Sequence, residues 1–540
     1  MKQWIKKYSN RLFSVQSMLL ICYITFVVAI GGFCSVRYSQ KQFALLCVAT
    51  VLLAAVLCPA ALWLLKRVHA CPRLKKEKCS AKQVLMDGIL YLAPLAVFAV
   101  FLIACFPGGY SADSFDQYAQ TLDNQYNDWH PVLHTLLAFK LPLALTGGWI
   151  GSVVLLQSLC FSGVIGYTGQ VIRKRFGFAP AIITVALILL NPLVMLTSMH
   201  PWKDTGFAVC ALLLSAYCLQ IVTTKGKWLH RPLNLICFVV VAVIASVVRH
   251  NGILFTAPVI LGVALCLSRK RALALCAAVM LLFAVVKFPM YSLLGVEAPD
   301  KRQIETLGLP MTVIDAVAVT HPERLDEETL SFVYQVTPKE ALEAEYKAGS
   351  FNSVKFHQDT NLDVIEQYGA KKVLTFMVRC IKAAPKTALK SLLDLTGRLF
   401  LLTDASTGFV YPRVCANAYG IDQSPNMTLI RHCKNYAETA DKYLAPVFTY
   451  LGIQHLLLVA VVLAKVNLKR RLDWTKLLVV LGVLCYNFGS ALLLSCWMDI
   501  FRFFFYTFPL VPVMLIMLCC DCSKKQSFGI CLKPIGRGID

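Results

Sequence analysis

Charge is what this sequence lacks most. Only 15% of its 540 residues are Asp, Glu, Lys or Arg, while 57% are hydrophobic and the mean hydropathy is +0.63. A water-soluble chain of this length needs more polar surface than that, so a soluble globular protein is excluded. Acid is scarcer than base: 30 Asp and Glu stand against 53 Lys and Arg, a formal net charge of +23. Such an excess suggests nucleic acid, but the bases sit in short loops between apolar runs. That is the pattern of the positive-inside rule, and no nucleic-acid partner is expected. No CxxC pair with a partner pair occurs, which argues against a structural zinc site. Most of the 22 cysteines lie inside apolar runs, as do Cys47, Cys58, Cys160 and Cys210, where a thiol packs as a small apolar group. The first apolar run is long and lacks a small-residue cleavage site, so it reads as an anchor. No internal repeat is evident.

What the sequence holds in abundance is apolar windows of about 20 residues almost free of charge, the signal of transmembrane helices. They fall at 15–36, 43–65, 84–105, 148–170, 178–196, 205–223, 233–248, 252–268, 272–294, 444–464, 476–496 and 503–520. The expected fold is an all-α polytopic membrane protein, a bundle of about twelve transmembrane helices with a mainly helical external domain. Lys2, Lys6, Lys7 and Arg11, the loops 66–82, 173–175, 225–231, 269–271 and 465–476, and Lys524 and Lys525 all fall on one side if both termini are cytoplasmic. The apolar stretch 132–145 is short and contains Lys140 and Pro142. Were it to cross, every later basic loop would change sides, so it is expected to lie in the interface or to re-enter.

Four segments result: 1–83, with two spans and a basic cytoplasmic loop; 84–294, a central module with the external loop 106–147; 295–443, an external helical domain; and 444–540, a closing module and tail. Within the external domain, 337–402 and the stretch around Asp326 and Glu327 look helical. Cys415 and Cys433 either pair on an oxidising face or stay as free thiols. The residues after Asp521 look like a short polar tail.

One polar island breaks the apolar pattern. Residues 107–134, PGGYSADSFDQYAQTLDNQYNDWHPVLH, contain Asp113, Asp116, Asp123, Asp128, His130 and His134. On the same expected side lie His200, Trp202, Lys203 and Asp204, then Arg249, His250 and Asn251, then Trp497, Asp499 and Arg502. Four loops distant in sequence present acid, base and cation at one surface, whereas the opposite loops show mainly Lys and Arg. An ionisable residue near the centre of a span costs about 2.5–3.5 kcal/mol and is usually kept for a pathway or a site. Each residue also has a structural reading. Asp113 and Asp116 suit capping or solvation, and His130-Pro131 suits a helix start. Lys203 beside Asp204 suits a weak surface pair, Arg249 a snorkelling cation, and Arg502 in FRFFFY an interfacial anchor. Their joint occurrence on one side argues for a site.

These elements together resemble the GT-C superfamily of membrane glycosyltransferases. Tyr126-Asn127-Asp128-Trp129-His130-Pro131 is similar to the Tyr-Asp-His-Pro-Pro segment of the branch that holds protein mannosyltransferases and lipid A aminoarabinose transferases. The chain also resembles a bacterial family of membrane proteins that share WHP, WKD, RHNG and RF/RY elements. The likeness runs over most of 84–520. It implies a sugar donor on a polyprenyl phosphate, an unspecified lipid, glycan or protein acceptor, and an active face outside a bacterial plasma membrane. It implies an acidic residue of the first loop as general base; Asp113 fits best because it follows the third span closely, and Asp116 is the close rival. His130 joins the catalytic set. Lys203, Arg249 and Arg502, with His250 as a weaker member, are expected to hold the donor phosphate. Asp128, His134, His200, Asp204 and Asn251 are expected substrate contacts. A divalent cation, Mg2+ or Mn2+, bridging Asp113 and Asp116 is an open option, and no other cofactor is expected. Two spans precede the one that opens the loop, the Pro-Pro pair becomes Pro131-Val132, and Trp129 is inserted, so the matching of Asp128 and His130 to family positions stays open.

Glycosyl chemistry asks independently for the same parts. Inverting transfer needs one carboxylate to take the acceptor proton as its oxygen attacks the anomeric carbon, and cations to stabilise the departing phosphate. Arginine suits forked contacts to phosphate. Two other readings compete. A transporter or flippase predicts ionisable groups near the bilayer midplane and broken helices, but Lys287 is the nearest to a mid-span charge. A ligase of lipid-linked glycans shares the topology and the cationic grip without needing an essential first-loop aspartate. In the transferase reading the external domain is expected to cover the site or bind the acceptor, with 307–311 packed on the mouth.

Overall fold

The structure, a computed structural model, describes residues 14–34, 40–73, 80–298, 304, 306–402, 409–494, 501–522 and 529–532. Lys2, Lys6, Lys7, Arg11, Trp497, Asp499, Lys524 and Lys525 lie outside the described residues. The fold is almost wholly helical. In chain order the elements that matter are α1 (Val15–Cys34), α2 (Gln40–Arg67), β1 (Val68–Cys71), α3 (Ala81–Ala104), α4 (Ala112–Asp123) and α5 (Val132–Leu145). Then come α6 (Gly151–Phe176), α7 (Phe178–Leu189), α8 (Lys203–Thr223), α9 (Pro232–Val247), α10 (Ile253–Leu265) and α11 (Arg269–Leu293). The domain that follows contains α12 (Gly308–Thr320), α13 (Glu327–Val336), α14 (Asp363–Ala383) and α15 (Pro385–Thr396). The chain closes with α16 (Met427–Phe448), α17 (Leu451–Lys465), α18 (Arg471–Leu494), α19 (Thr507–Cys519) and β2 (Gly529–Leu532).

Among the described residues, seven helical stretches are long and apolar enough to cross a membrane: Lys41–Arg67, Ala81–Ala104, Gly151–Phe176, Lys203–Thr223, Arg269–Leu293, Met427–Lys465 and Arg471–Leu493. The other expected spans are helices too, but shorter apolar ones, as are α5 and α12. The α5 segment is widened by a π-helical stretch at Thr135–Lys140 and packs on α4. The central bundle is held by close backbone approach. A Cβ on Gly482 of α18 would lie 2.7 Å from the Phe255 carbonyl oxygen of α10, and one on Gly262 of α10 would lie 3.0 Å from Leu478 Cβ. Small residues let apolar helices pack where no hydrophobic drive separates protein from lipid.

Two features differ from the sequence reading. The segment after Asp521 is more than a polar tail: Gly529–Leu532 pairs antiparallel with Val68–Cys71, with His69 opposite Cys531. This small sheet seals the end of the bundle where Arg73 N–H meets the Arg175 carbonyl at 2.7 Å and Asp521 N–H meets Ala70 at 2.9 Å. The domain at 295–443 also divides. Residues 304–388 build their own apolar core around Phe332 and Phe376, whose rings stack at 4.8 Å, and Asp326 caps α13 by accepting from Thr329 N–H. Leu399, Cys433 and Ala437 instead join the core of the helical bundle. Cys415 and Cys433 are both free thiols, the first exposed and the second buried.

Candidate functional site

The first loop is pinned before it reaches its acidic residues. Gly109 N–H donates to the Met199 carbonyl at 2.9 Å, and a Cβ on Gly109 would lie 2.4 Å from the His200 ring, so only glycine fits there. Tyr110 is wholly buried and its hydroxyl donates to the Ile150 carbonyl at 2.8 Å. Trp202, the residue before α8, donates its indole N–H to Ser111 Oγ at 2.9 Å. The start of α4 is therefore fixed beside the start of α8, whose positive dipole end faces the same place. A strap from the far end of the chain closes over this loop. Cys415 N–H donates to Tyr110 and Ser424 N–H to Phe106, at 2.8 and 3.1 Å, and Tyr419 stacks on Phe115.

Asp113 and Asp116, one turn apart on α4, line a cavity of about 240 Å3 together with Ala112, Asn127, Trp129 and His130. Their surroundings differ. Asp113 Oδ2 accepts from Arg502 Nη2 at 2.8 Å. Burial pushes its pKa up, but Arg502, Lys203 and His130 outweigh that and hold the carboxyl below its ordinary value. Asp116 Oδ2 accepts from Gln120 at 2.9 Å and faces His130 Nε2 at 3.5 Å. Burial raises its pKa, and the Gln120 hydrogen bond only partly offsets the rise.

His130 is buried, and Lys203 Nζ lies 3.1 Å from its Nδ1. Burial first, then the Lys203 charge, push the histidine pKa down to about 3. The ring is thus neutral at physiological pH. Since the ammonium only donates, Nδ1 is the acceptor and Nε2 carries the hydrogen that points at Asp116. Lys203, His130 and Asp116 form a file in which each member orients the next.

Behind the cavity runs an alternating chain of charges. Arg502 Nε lies 3.7 Å from Asp204 Oδ2, and Asp204 Oδ1 pairs with Arg249 Nη1. Asn251 accepts from Arg249 Nε at 3.0 Å and donates to Ser490. Aromatic rings wall the chain. Arg249 sits 4.6 Å over Phe503, and Arg502 sits 5.0 Å over both Trp202 and Phe503. Asp128, beside the cavity, takes Tyr291 O–H at 2.8 Å and Lys287 Nζ at 3.2 Å. Glu297 bridges to this turn, its N–H donating to Tyr126 and its carbonyl accepting from Asp128 N–H.

Of the residues expected from sequence, Asp113, Asp116 and His130 line the cavity, Lys203 and Arg502 stand directly behind them, and Asp204, Arg249 and Asn251 form the buried chain beyond. Arg249 is only 2% exposed, so it braces the site from behind. His250 is exposed, with Nε2 3.4 Å from the Trp129 carbonyl. Two expected residues are not among those that line the cavity. His134 is buried against Gln117 at 2.7 Å, and His200 stacks on Trp202 at 4.0 Å while its Nδ1 meets the Leu196 carbonyl at 3.2 Å. Both are buried. The segment 307–311 does not reach the mouth; it opens α12, which packs on α14, α15 and α18.

Sequence reading missed Asn127 and Trp129 as lining residues, the strap at 411–424, and Lys287 as the partner of Asp128. Lys287 carried a signal, being a lone charge in an apolar run, and a π-helical turn at Val286–Met290 delivers it. Among the described residues no group of three or more His, Cys, Asp or Glu is placed to hold a metal ion. A divalent cation on Asp113 and Asp116 would have to share Asp113 with Arg502, so these residues fit one poorly. No protein family, curated protein or solved structure matches the chain.

Proposed function

We propose that this chain is an inverting membrane glycosyltransferase of the GT-C kind, with about twelve spans, both termini cytoplasmic and its active face outside a bacterial plasma membrane. It moves a sugar from a polyprenyl-phosphate donor to an acceptor hydroxyl or amine. The observation that carries this reading is the file of Lys203, His130 and Asp116 opening on the cavity, with Arg502 alongside. The charge pattern of the loops and the resemblance of the YNDWHP segment support it.

In this mechanism Asp116 is the general base and Asp113 the positioning residue, which reverses the preference drawn from sequence. Asp116 has its two neighbours on Oδ2, so Oδ1 is left for an incoming proton, and its raised pKa suits a base better than the depressed one of Asp113. The acceptor oxygen or nitrogen attacks the anomeric carbon from the face opposite the phosphate. Its proton goes to Asp116, and the carbon–oxygen bond to phosphate breaks with the electron pair leaving on the lipid phosphate. Lys203 and Arg502 stabilise that charge, Arg502 exchanging Asp113 for phosphate as the donor binds.

The test uses membranes carrying the full chain, supplied with undecaprenyl-phosphate monosaccharides, and measures sugar transfer. Asp116→Asn is expected to lower kcat by about 10^2–10^4, and Asp113→Asn to act mainly on donor KM. Full activity in Asp116→Asn would overturn the base assignment. If both aspartate variants stay active while Arg502→Gln does not, the ligase reading takes its place.

A further inference from the structure

The opposite end of the bundle holds a larger cavity, about 540 Å3, where the ends of α8, α10 and α19 meet the start of α18. Its lining carries four cations, Lys225, Arg470, Arg471 and Lys476, against two carboxylates, Asp473 and Asp521. The carboxylates are already engaged. Asp473 pairs with Lys476 at 3.0 Å and accepts from Asn467 N–H at 3.1 Å, and Asp521 lies 3.6 Å from His69. Lys476 is buried and also donates to the Cys520 carbonyl at 2.8 Å. Lys225, Arg470 and Arg471 have no side-chain ion pair among the described residues, so three cations face this cavity without a counter-charge.

Two further features separate this arrangement from a solvated basic loop. The positive end of α18, a helix of 24 residues, opens on the cavity through Arg471 and Leu472. Lys225 is held in the left-handed region, with φ of 52°, at the turn that ends α8. A side chain there strains the backbone, and glycine is the ordinary occupant. This strained turn brings Lys225 to the wall of the cavity. The residues of the cavity come from four chain segments, and hydrogen bonds beside it tie these segments together: Thr475 Oγ1 donates to the Gly262 carbonyl at 2.6 Å, and Cys522 Sγ to Val222 at 3.5 Å.

We propose that this cavity binds a phosphate-bearing anion through Lys225, Arg470 and Arg471, with the buried pair of Lys476 and Asp473 as its floor. A doubly charged phosphate offsets the unpaired cations, and arginine forks suit its oxygens. The phosphate comes either from a lipid headgroup at the cytoplasmic leaflet or from free phosphate in solution. This assignment stands apart from the transferase reading, because none of its residues belongs to the first cavity.

The experiment follows thermal unfolding of the full chain in two arms. In detergent, inorganic phosphate is titrated against sodium chloride of equal ionic strength. In nanodiscs, phosphatidylcholine alone is compared with phosphatidylcholine plus phosphatidic acid. A saturable rise of about 2–4 °C is expected in at least one arm. A rise in the first arm names free phosphate as the source, and a rise in the second alone names the lipid headgroup. The rise is expected to vanish in a Lys225→Gly, Arg471→Gln double variant, whose turn relaxes to the residue it favours and which therefore folds at least as well. No rise in either arm overturns the proposal. So does a rise undiminished in the variant, which would put the phosphate elsewhere in the molecule, the first cavity included.

Discussion

The two cavities of this bundle each gather a few cations around them and partner those cations differently. Around Asp116 each cation meets a partner within the chain: Arg249 meets Asp204, Arg502 meets Asp113 and Asp204, Lys287 meets Asp128, and Lys203 meets His130. At the other end Lys225, Arg470 and Arg471 meet none among the described residues. The difference lies in burial. Asp204 and Arg249 are each only 2% exposed, and charges so far from water must be compensated within the protein. Cations at the rim of an open cavity are free to take their counter-charge from a ligand. A net charge of +23 therefore says little by itself; where the compensation comes from says more.

The sharpest way to break this contrast is to remove one compensating acid. Asp204→Ala leaves Arg249 buried without its carboxylate and takes a partner from Arg502. A loss of about 3–5 kcal/mol is expected, read as a fall in unfolding temperature of the purified chain. Arg471→Gln at the other end is expected to change stability by less than about 0.5 kcal/mol, because its guanidinium is exposed. Replacing both members of the buried pair, as Asp204→Leu with Arg249→Leu, should recover most of the loss, since no charge is then stranded. Equal losses from Asp204→Ala and Arg471→Gln would erase the distinction between the two ends.

Acid separates the ends next. His130 is held neutral, with its pKa lowered to about 3 by burial and Lys203, and burial lowers that of His200 to about 4. The unfolded chain binds protons on these histidines from about pH 6.5 downward, while the folded chain does not. Stability therefore falls as pH drops below 6.5, by up to about 1.4 kcal/mol per unit for each histidine. Asp113, with its depressed pKa, adds stability above the ordinary carboxylate range that is lost in acid, so it acts in the same direction. Unfolding temperatures measured from pH 7 to pH 4 should show this slope, and His130→Asn should flatten it. Lys203→Met should also flatten it, because losing the neighbouring charge raises the pKa of His130. A profile unchanged in both variants would remove His130 from the cause. Activity gives an independent reading: if Asp116 is the base, transfer falls in acid at a pH above the ordinary carboxylate value, because burial raises its pKa.

The positions of the helices were legible in the sequence because hydrocarbon demands long apolar runs, and an α-helix satisfies its own backbone. The convergence of the loops at 106–147, 197–204 and 249–251 with Arg502 was legible from charge alone. The pairing within that cluster was not. Nothing in the spacing of Lys203 and Asp204 says that the lysine turns to His130 while the aspartate turns inward to Arg249. Adjacent residues at a helix start diverge by about 100°, and packing decides which of them is buried. The ranking of Asp113 over Asp116 came from distance to the third span, whereas the structure distinguishes them by contact with Arg502. The strap at 411–424 was illegible for another reason. Its bonds to Tyr110 and Phe106 run through backbone N–H groups, which no residue type announces.

Among the ion pairs described at the site end, that of Lys287 with Asp128 is expected to give the smallest loss. The lysine ammonium lies 3.2 Å from Asp128, and their side chains are 20% and 11% exposed. Asp128 keeps the Tyr291 hydroxyl and the backbone link to Glu297 when the lysine is lost. Lys287→Met should therefore cost only about 1 kcal/mol. Asp87 and Arg173, near the opposite end, offer the measure for comparison. They share a forked contact of 2.6 and 3.0 Å, and Gln170 reinforces it at 3.0 Å. Asp87→Ala strands an arginine that is only 5% exposed and should cost more than Lys287→Met by a clear margin. If the transferase reading holds, Lys287→Met should also raise the acceptor KM with little change in kcat, because Asp128 flanks the cavity without touching the proton path. A fall in kcat as large as that in Asp116→Asn would instead draw Lys287 into the chemistry and move the centre of the site toward α11.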